Sequence, residues 1–179
     1  MIEAAKALIG VDIVRGGMRA RIVETEAYRS DDAASHSFRG VTPRTEVMFG
    51  PPGFAYVYFS YGCHWMLNVV AHERGNGAAV LIRAARPVHG IAEMLANRPK
   101  IKRNDDLLSG PGKLCAGLGI DRAMHGINLL DPLSELHLDA GEQSPNILIG
   151  KRIGITKDPD RLWRFGDAEQ VKYLSQPFR

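Results

Sequence analysis

The chain has 179 residues, of which 45% are hydrophobic and 24% charged, an ordinary globular composition with enough length to bury a sizeable core. A formal net charge of +3 permits an anionic partner without specifying one. The two cysteines, Cys63 and Cys115, exclude a disulfide scaffold, and neither a long apolar run nor a charged-then-apolar leader is present, so a reducing cytosol is expected rather than a membrane or secretion.

Glu3 to Ile9 is Ala-rich and reads as a short helix closed by Gly10. Val11–Val14 and Met18–Tyr28 alternate like strands, and Gly16-Gly17 between them predicts a hairpin. In the second strand Ile22, Glu24, Glu26 and Tyr28 are expected on one face and Val23, Thr25 and Ala27 on the other. Residues 29 to 46 lose the alternation and read as a loop, with a short helical turn through residues 31–36 capped by an Asp. Gly50-Pro51-Pro52-Gly53 is a rigid turn before the strand Phe54–Phe59, and His64–Val70 returns from it, which places Tyr61 near a hairpin tip. Ala79–Ala85 is a further strand, residues 90–97 and 112–118 read as helices, and Leu129 and Ile153-Gly154-Ile155 mark later short strands. No repeat or linker divides the chain, so one α+β domain over residues 1–179 is expected. It would carry a curved, mainly antiparallel sheet, surrounding helices and a protruding hairpin.

The Glu24/Glu26 pair beside Tyr28 is the first candidate for chemistry. Two carboxylates and a phenol on one strand face are costly to bury in an apolar core and cheap to keep in a polar cleft. A carboxylate that hydrogen-bonds a water acts as a general base in hydrolysis, and an arginine nearby holds it ionised. Arg83 lies on a strand that can join the same sheet. Tyr56 and Tyr58 share a face, so at least one of them is expected to flank a pocket, while Phe59 and Trp65 read as core. Tyr61, beside Gly62 at a tip, is placed to act as an aromatic wedge in a base step. The arginines and lysines around this region, with Arg44 and Lys113 among them, suit phosphate contact. Ser109-Gly110-Pro111-Gly112-Lys113 opens a helix but departs from the P-loop spacing. The six histidines lack metal-ligand spacing, and adjacent Cys63-His64 reads as strand packing rather than a catalytic dyad.

Several of these stretches, taken in order, resemble one family. They are Arg21-Ile22-Val23-Glu24-Thr25-Glu26-Ala27-Tyr28, Ala34-Ser35-His36-Ser37, Thr42-Pro43-Arg44, Met48-Phe49, Tyr56-Val57-Tyr58-Phe59-Ser60-Tyr61-Gly62, Asn68, Val80-Leu81-Ile82-Arg83-Ala84 and Ser109-Gly110-Pro111-Gly112-Lys113-Leu114-Cys115. Together they are similar to the alkyladenine (3-methyladenine) DNA glycosylases of the mammalian type. The resemblance implies a single-domain enzyme that flips a damaged purine out of double-stranded DNA and hydrolyses its N-glycosidic bond. It selects Glu26 as the base that activates water and gives Arg83 the task of holding that water and a phosphate. Tyr28, His36 and Tyr58 become pocket walls, Asn68 the floor that disfavours the exocyclic amine of guanine, and Leu81 a contact of the flipped nucleotide. Tyr61 becomes the intercalating wedge. A bacterial, monomeric member needing neither cofactor nor metal is expected. A loop one residue shorter between Tyr28 and His36, and Cys63, His64 and Trp65 after the wedge, depart from the mammalian pattern. A DNA-binding module without catalysis is the alternative expectation, and a hydrolase using Glu26 on a small substrate is a weaker one.

Overall fold

The computed structural model describes residues 1–72 and 74–178. Its frame is a sheet of eight strands, all paired antiparallel. In chain order they are β1 (Asp12–Arg15), β2 (Met18–Arg29), β3 (Ala55–Ser60), β4 (His64–Val70), β5 (Ala78–His89), β6 (Leu136–Asp139), β7 (Ile147–Gly150) and β8 (Arg164–Asp167). Among the described residues three α-helices accompany them: α1 (Ile2–Ala7), α2 (Ile91–Asn97) and α3 (Pro111–Leu118). The main path runs β3-β4-β5-β2-β1-β6, and β7 joins through β8, which pairs with β2. Among the described residues no helix is long and apolar enough to cross a membrane.

Strand β2 organises this sheet. One edge pairs with β5 along almost its whole length, and the other edge is divided, with β1 opposite residues 18–21 and β8 opposite Glu24–Glu26. The expected alternation holds for Glu24, Glu26 and Tyr28 but not for Ile22. Ile22 is buried in the main core with Ala20 and Ala27. The register with β5 explains this: Ile22 pairs with Ala85 and Glu24 with Ala84, so Val23 is an extra residue. The next pair, Thr25 with Ile82, skips Arg83 on the other strand. Two bulges therefore face each other, and each resets the alternation of its own strand. Val23 and Ala84 share a small apolar cluster with Leu174, while Arg83 turns toward Glu24 and Glu26.

The main core lies on the other face, where Val80, Ile82 and Ala85 of β5 meet Leu114, Cys115 and Leu118 of α3 and Met94 of α2. Burial of each Leu or Ile side chain there stabilises the fold by about 1.5–3 kcal/mol. Thr25 ties α1 to this face, its hydroxyl donating to the Ala5 carbonyl at 2.9 Å.

Elsewhere the expected elements shift. The helical turn placed at residues 31–36 is instead a bend, in which Asp32 Oδ1 accepts the Ala34 N–H at 3.1 Å, followed by a 3₁₀ turn at His36–Arg39 capped by Ser35. Leu129 lies outside the named strands. Ile153-Gly154-Ile155 is a loop, bent at Gly154 with φ 72° and tied by the Ile153 N–H to a side chain rather than to a strand. Phe59 is not core: it is 48% exposed and packs on Trp65 across the hairpin, ring centroids 4.8 Å apart. Cys63 and His64 are exposed as well.

Candidate active site

Cross-strand pairing places the candidate residues in one row. Tyr56 pairs with Asn68, Asn68 with Leu81, Leu81 with Glu26, and Glu26 with Arg164. Directly paired residues project to the same side of a sheet, so five strands contribute one line of side chains. Above it opens a cleft of about 640 Å³ whose lining includes Tyr28, His36, Arg44, Tyr58, Asn68, Leu81, Arg83 and Tyr61.

Glu26 is fully buried beneath this cleft. Its Oε2 accepts hydrogen bonds from the Tyr28 hydroxyl at 2.8 Å and Arg83 Nη1 at 3.1 Å, and its Oε1 accepts the Ile153 N–H at 2.7 Å. Tyr28, Arg83 and Ile153 all line the cleft. A carboxylate has about four lone-pair sites, so among the described residues one on Oε1 stays open. Glu24, two residues earlier, is equally buried and carries one hydrogen bond more. Its Oε1 accepts from Arg83 Nε (3.1 Å), Arg164 Nε (2.7 Å) and the Ser175 hydroxyl (2.8 Å), and its Oε2 accepts from the Ser175 N–H (2.5 Å).

Arg83 joins the two carboxylates. Burial works against its charge, yet Glu26 and Glu24 outweigh it and hold the guanidinium above its ordinary value. Burial first, and the Glu26 charge second, push the Tyr28 hydroxyl well above the ordinary phenol range, so it remains a donor to Glu26. The Tyr58 phenol is pushed up to about 12 by burial and by Tyr56.

The aromatic walls are locked to one another. His36 Nδ1 lies 2.9 Å from the Tyr56 hydroxyl, and its ring meets Tyr58 edge-on at 4.6 Å. Crowding by these walls, and secondarily the Arg44 charge, lower the imidazole to about 4, although the residue as a whole stays exposed. Asn68 donates to the Tyr56 carbonyl at 3.0 Å, which orients its amide at the floor. The Arg44 guanidinium lies 5.1 Å from the Tyr58 ring centroid. At the tip of β3–β4, Tyr61 is 87% exposed and has φ 52°. A bulky residue in that left-handed region is strained, and such strain persists where the side chain's position has a use.

Lys113 stands apart. Its ammonium is paired with Asp106, and it lines a second groove with Lys100, Lys102, Arg103 and Lys172 rather than the aromatic cleft. Several other expected phosphate contacts are spent on ion pairs: Arg21 with Asp12, Arg29 with Asp31 and Arg103 with Asp105.

Three contributors had no reading from sequence. Arg152 is buried in an ion pair with Asp32, donates to the Ala27 carbonyl at 3.1 Å and lies between the Tyr28 and Trp163 rings, 4.7 and 5.3 Å from their centroids. It pins the loop whose next residue, Ile153, reaches Glu26. Arg164 and Ser175 close the far side of Glu24. Each of these side chains sits 120 residues or more from the carboxylate it bonds, so no local spacing announced it.

A buried carboxylate bonded to the lining of an aromatic cleft, with an exposed tyrosine at its rim, is the arrangement expected of an enzyme of the DNA glycosylase class. Residues 1–171 match the methylpurine-DNA glycosylase family. The chain is 49% identical over 176 residues to a protein of Rhodopseudomonas palustris, covering 98% of this chain and 84% of that one. A protein of Bradyrhizobium diazoefficiens is 48% identical over 176 residues (98% and 86%), and one of Nitrosospira multiformis 45% identical over 178 (99% and 90%). Each bears the name "Putative 3-methyladenine DNA glycosylase". The chain belongs to the methylpurine-DNA glycosylase family.

Proposed function

We propose that the protein excises alkylated purines, 3-methyladenine among them, from duplex DNA by hydrolysis, using Glu26 as general base. The observation that carries this reading is the placement of the two buried carboxylates: all three hydrogen-bond donors to Glu26, from Tyr28, Arg83 and Ile153, line the cleft, whereas Glu24 is held by Arg164 and Ser175 outside it. The open lone pair on Glu26 Oε1 accepts a proton from water. The water oxygen then bonds to C1′ of the deoxyribose as the bond from C1′ to the purine breaks. The purine leaves with the bonding electrons, and an alkylated base, already cationic, departs neutral.

The other side chains supply position. Of the five N–H groups of Arg83, three have partners among the described residues, and the remaining two are donors for the water or a flanking phosphate. Tyr28, Tyr58 and His36 hold the flipped base, since a cationic purine is attracted to aromatic faces. Asn68 and Leu81 set the floor. Tyr61 fills the gap left in the duplex, and an alkylated, poorly paired base lowers the cost of flipping. Arg44 lies at the cleft and Lys113 in the neighbouring groove as backbone contacts.

Base release from duplex DNA carrying 3-methyladenine or 7-methylguanine tests this directly. Glu26→Gln should release base at least ~100-fold more slowly, the lower range for loss of a general base, while still binding lesion DNA. Equal release by both proteins removes Glu26 from the reaction. Lesion binding without release by either would make the protein a binding module.

A further inference from the structure

The family match ends at residue 171, yet the segment after it reaches the candidate site. Leu174 is buried against Val23 and Ala84. Phe178 lies over Gly150 and Gly166, where an added Cβ would stand 2.9 and 2.6 Å from its ring. Neither glycine has a positive φ, so both are glycine for room rather than for backbone freedom. The Arg164 guanidinium stacks on the Phe178 ring at 3.9 Å and donates to the carbonyls of Gln176 and Pro177.

Between these two anchors Ser175 is held against Arg83. Its hydroxyl donates to Glu24 Oε1 at 2.8 Å and accepts from Arg83 Nε and Nη2, both at 3.3 Å. Its N–H donates to Glu24 Oε2 at 2.5 Å. A serine hydroxyl offers one donor and two acceptor positions, and all three are used. Arg83 reaches Glu26 through Nη1 alone. An arginine side chain carries about 2 kcal/mol of rotamer entropy, so one hydrogen bond at one corner leaves the planar group free to pivot. Ser175 and Glu24 hold its opposite edge.

We propose that residues 174–178 form a strap and that Ser175 is a positioning residue for Arg83, fixing the guanidinium edge away from the cleft so that the Nη1 edge stays on Glu26. This inference rests on Arg83 serving the excision proposed above. A displacement of about 1 Å at a reacting group costs up to ~100-fold in rate, which gives such a strap a reason to exist.

The experiment compares Ser175→Ala, Ser175→Thr and Gly166→Ala with wild type. It reads single-turnover base release, the Kd for lesion DNA, and the ¹⁵N–¹H signal of Arg83 Nε, assigned by its loss in Arg83→Lys. Ser175→Ala should slow release about tenfold, the scale of one hydrogen bond to a charged group. It should leave lesion affinity within about twofold and shift or broaden the Arg83 signal. Ser175→Thr, which keeps the hydroxyl, should restore both rate and signal. Gly166→Ala, which displaces Phe178, should resemble Ser175→Ala. An Arg83 signal unmoved by Ser175→Ala overturns the strap, as does a rate that falls only in proportion to lesion affinity. If wild type and Glu26→Gln release base equally, the excision reading fails; the Arg83 signal then decides the strap alone, standing if it moves and falling if it does not.

Discussion

Two regions meet at Arg83, and they are built on opposite terms. Behind it, Glu24, Arg164 and Ser175 form a closed knot in which the carboxylate accepts four hydrogen bonds, three of them from Arg164 and Ser175 away from the cleft. In front, Glu26 accepts three, all from groups that line the open cleft. The residue type is the same, the strand is the same, and both are fully buried. The difference teaches that burial alone does not mark a reactive carboxylate. What separates the structural anchor from the proposed base is which groups hold the carboxylate and whether they line the cleft.

Breaking the closed side should have the largest structural effect. Glu24→Gln keeps the shape but leaves Arg164 and Arg83 without one carboxylate between them. Removing one partner of a buried ion pair costs about 3–5 kcal/mol, so the denaturant midpoint should drop steeply, and the equivalent change at Glu26 should cost less because among the described residues Glu26 has only Arg83 as an ionic partner. Chemical denaturation of both variants checks this, and equal losses would erase the contrast.

Next in size is the roof over Glu26. Asp32→Asn removes the charge that balances Arg152 in a fully buried pair. A stability loss of about 3 kcal/mol is expected. The slower base release should be greater than that loss explains, because Ile153 no longer holds its N–H against Glu26 Oε1. Release measured well below the melting temperature separates the two effects, and an unchanged rate would detach Arg152 from the site.

A smaller effect belongs to the wedge. Tyr61→Gly relieves a left-handed φ of 52°, so stability should be unchanged or rise by up to about 1 kcal/mol, while affinity for lesion duplex falls about tenfold, the scale of one lost stacking contact. A tip tyrosine of merely structural value would show the reverse pattern.

The smallest effect is the His36 titration. Its pKa is lowered to about 4 in the folded chain from an ordinary value near 6.5. Between these limits the unfolded chain takes up a proton that the folded chain refuses. His36 therefore contributes full stability above pH ~6.5 and loses that contribution as pH falls toward about 4. His36→Asn should flatten the melting temperature over that window. A His36 that titrates near 6.5 in an NMR experiment would instead place the imidazole outside the crowded wall.

Much of the cleft was legible in the sequence because its walls lie on long strands with strong local patterns. Alternation on β2 picked out Glu24, Glu26 and Tyr28, hairpin spacing put Tyr61 at a tip, and the resemblance carried His36, Tyr58, Asn68, Leu81 and Arg83 into one pocket. All of these reach the cleft or, for the two glutamates, the groups beneath it. Ile22 was misplaced because a bulge leaves no mark in a pattern of period two. Phe59 was misread because an aromatic on a strand looks the same to local periodicity whether its neighbours or water cover it. The strands β6, β7 and β8 have four residues each, too few to establish a period.

By itself, then, the sequence determined the long strands that carry the cleft residues, the residue types that line the cleft and the family to which they belong, because strand patterns depend on neighbours two to four positions away and the family motifs are short local runs. Only the tertiary structure decided which of two identical glutamates lies against the cleft. That arrangement is made by Arg152, Ile153, Arg164 and Ser175, which come from beyond residue 150 to make three hydrogen bonds to one carboxylate and one to the other or, for Arg152, to pin the loop that does so. Hydrogen bonds between such distant partners exist only once the sheet has closed around β2, so their pattern has no counterpart in local spacing.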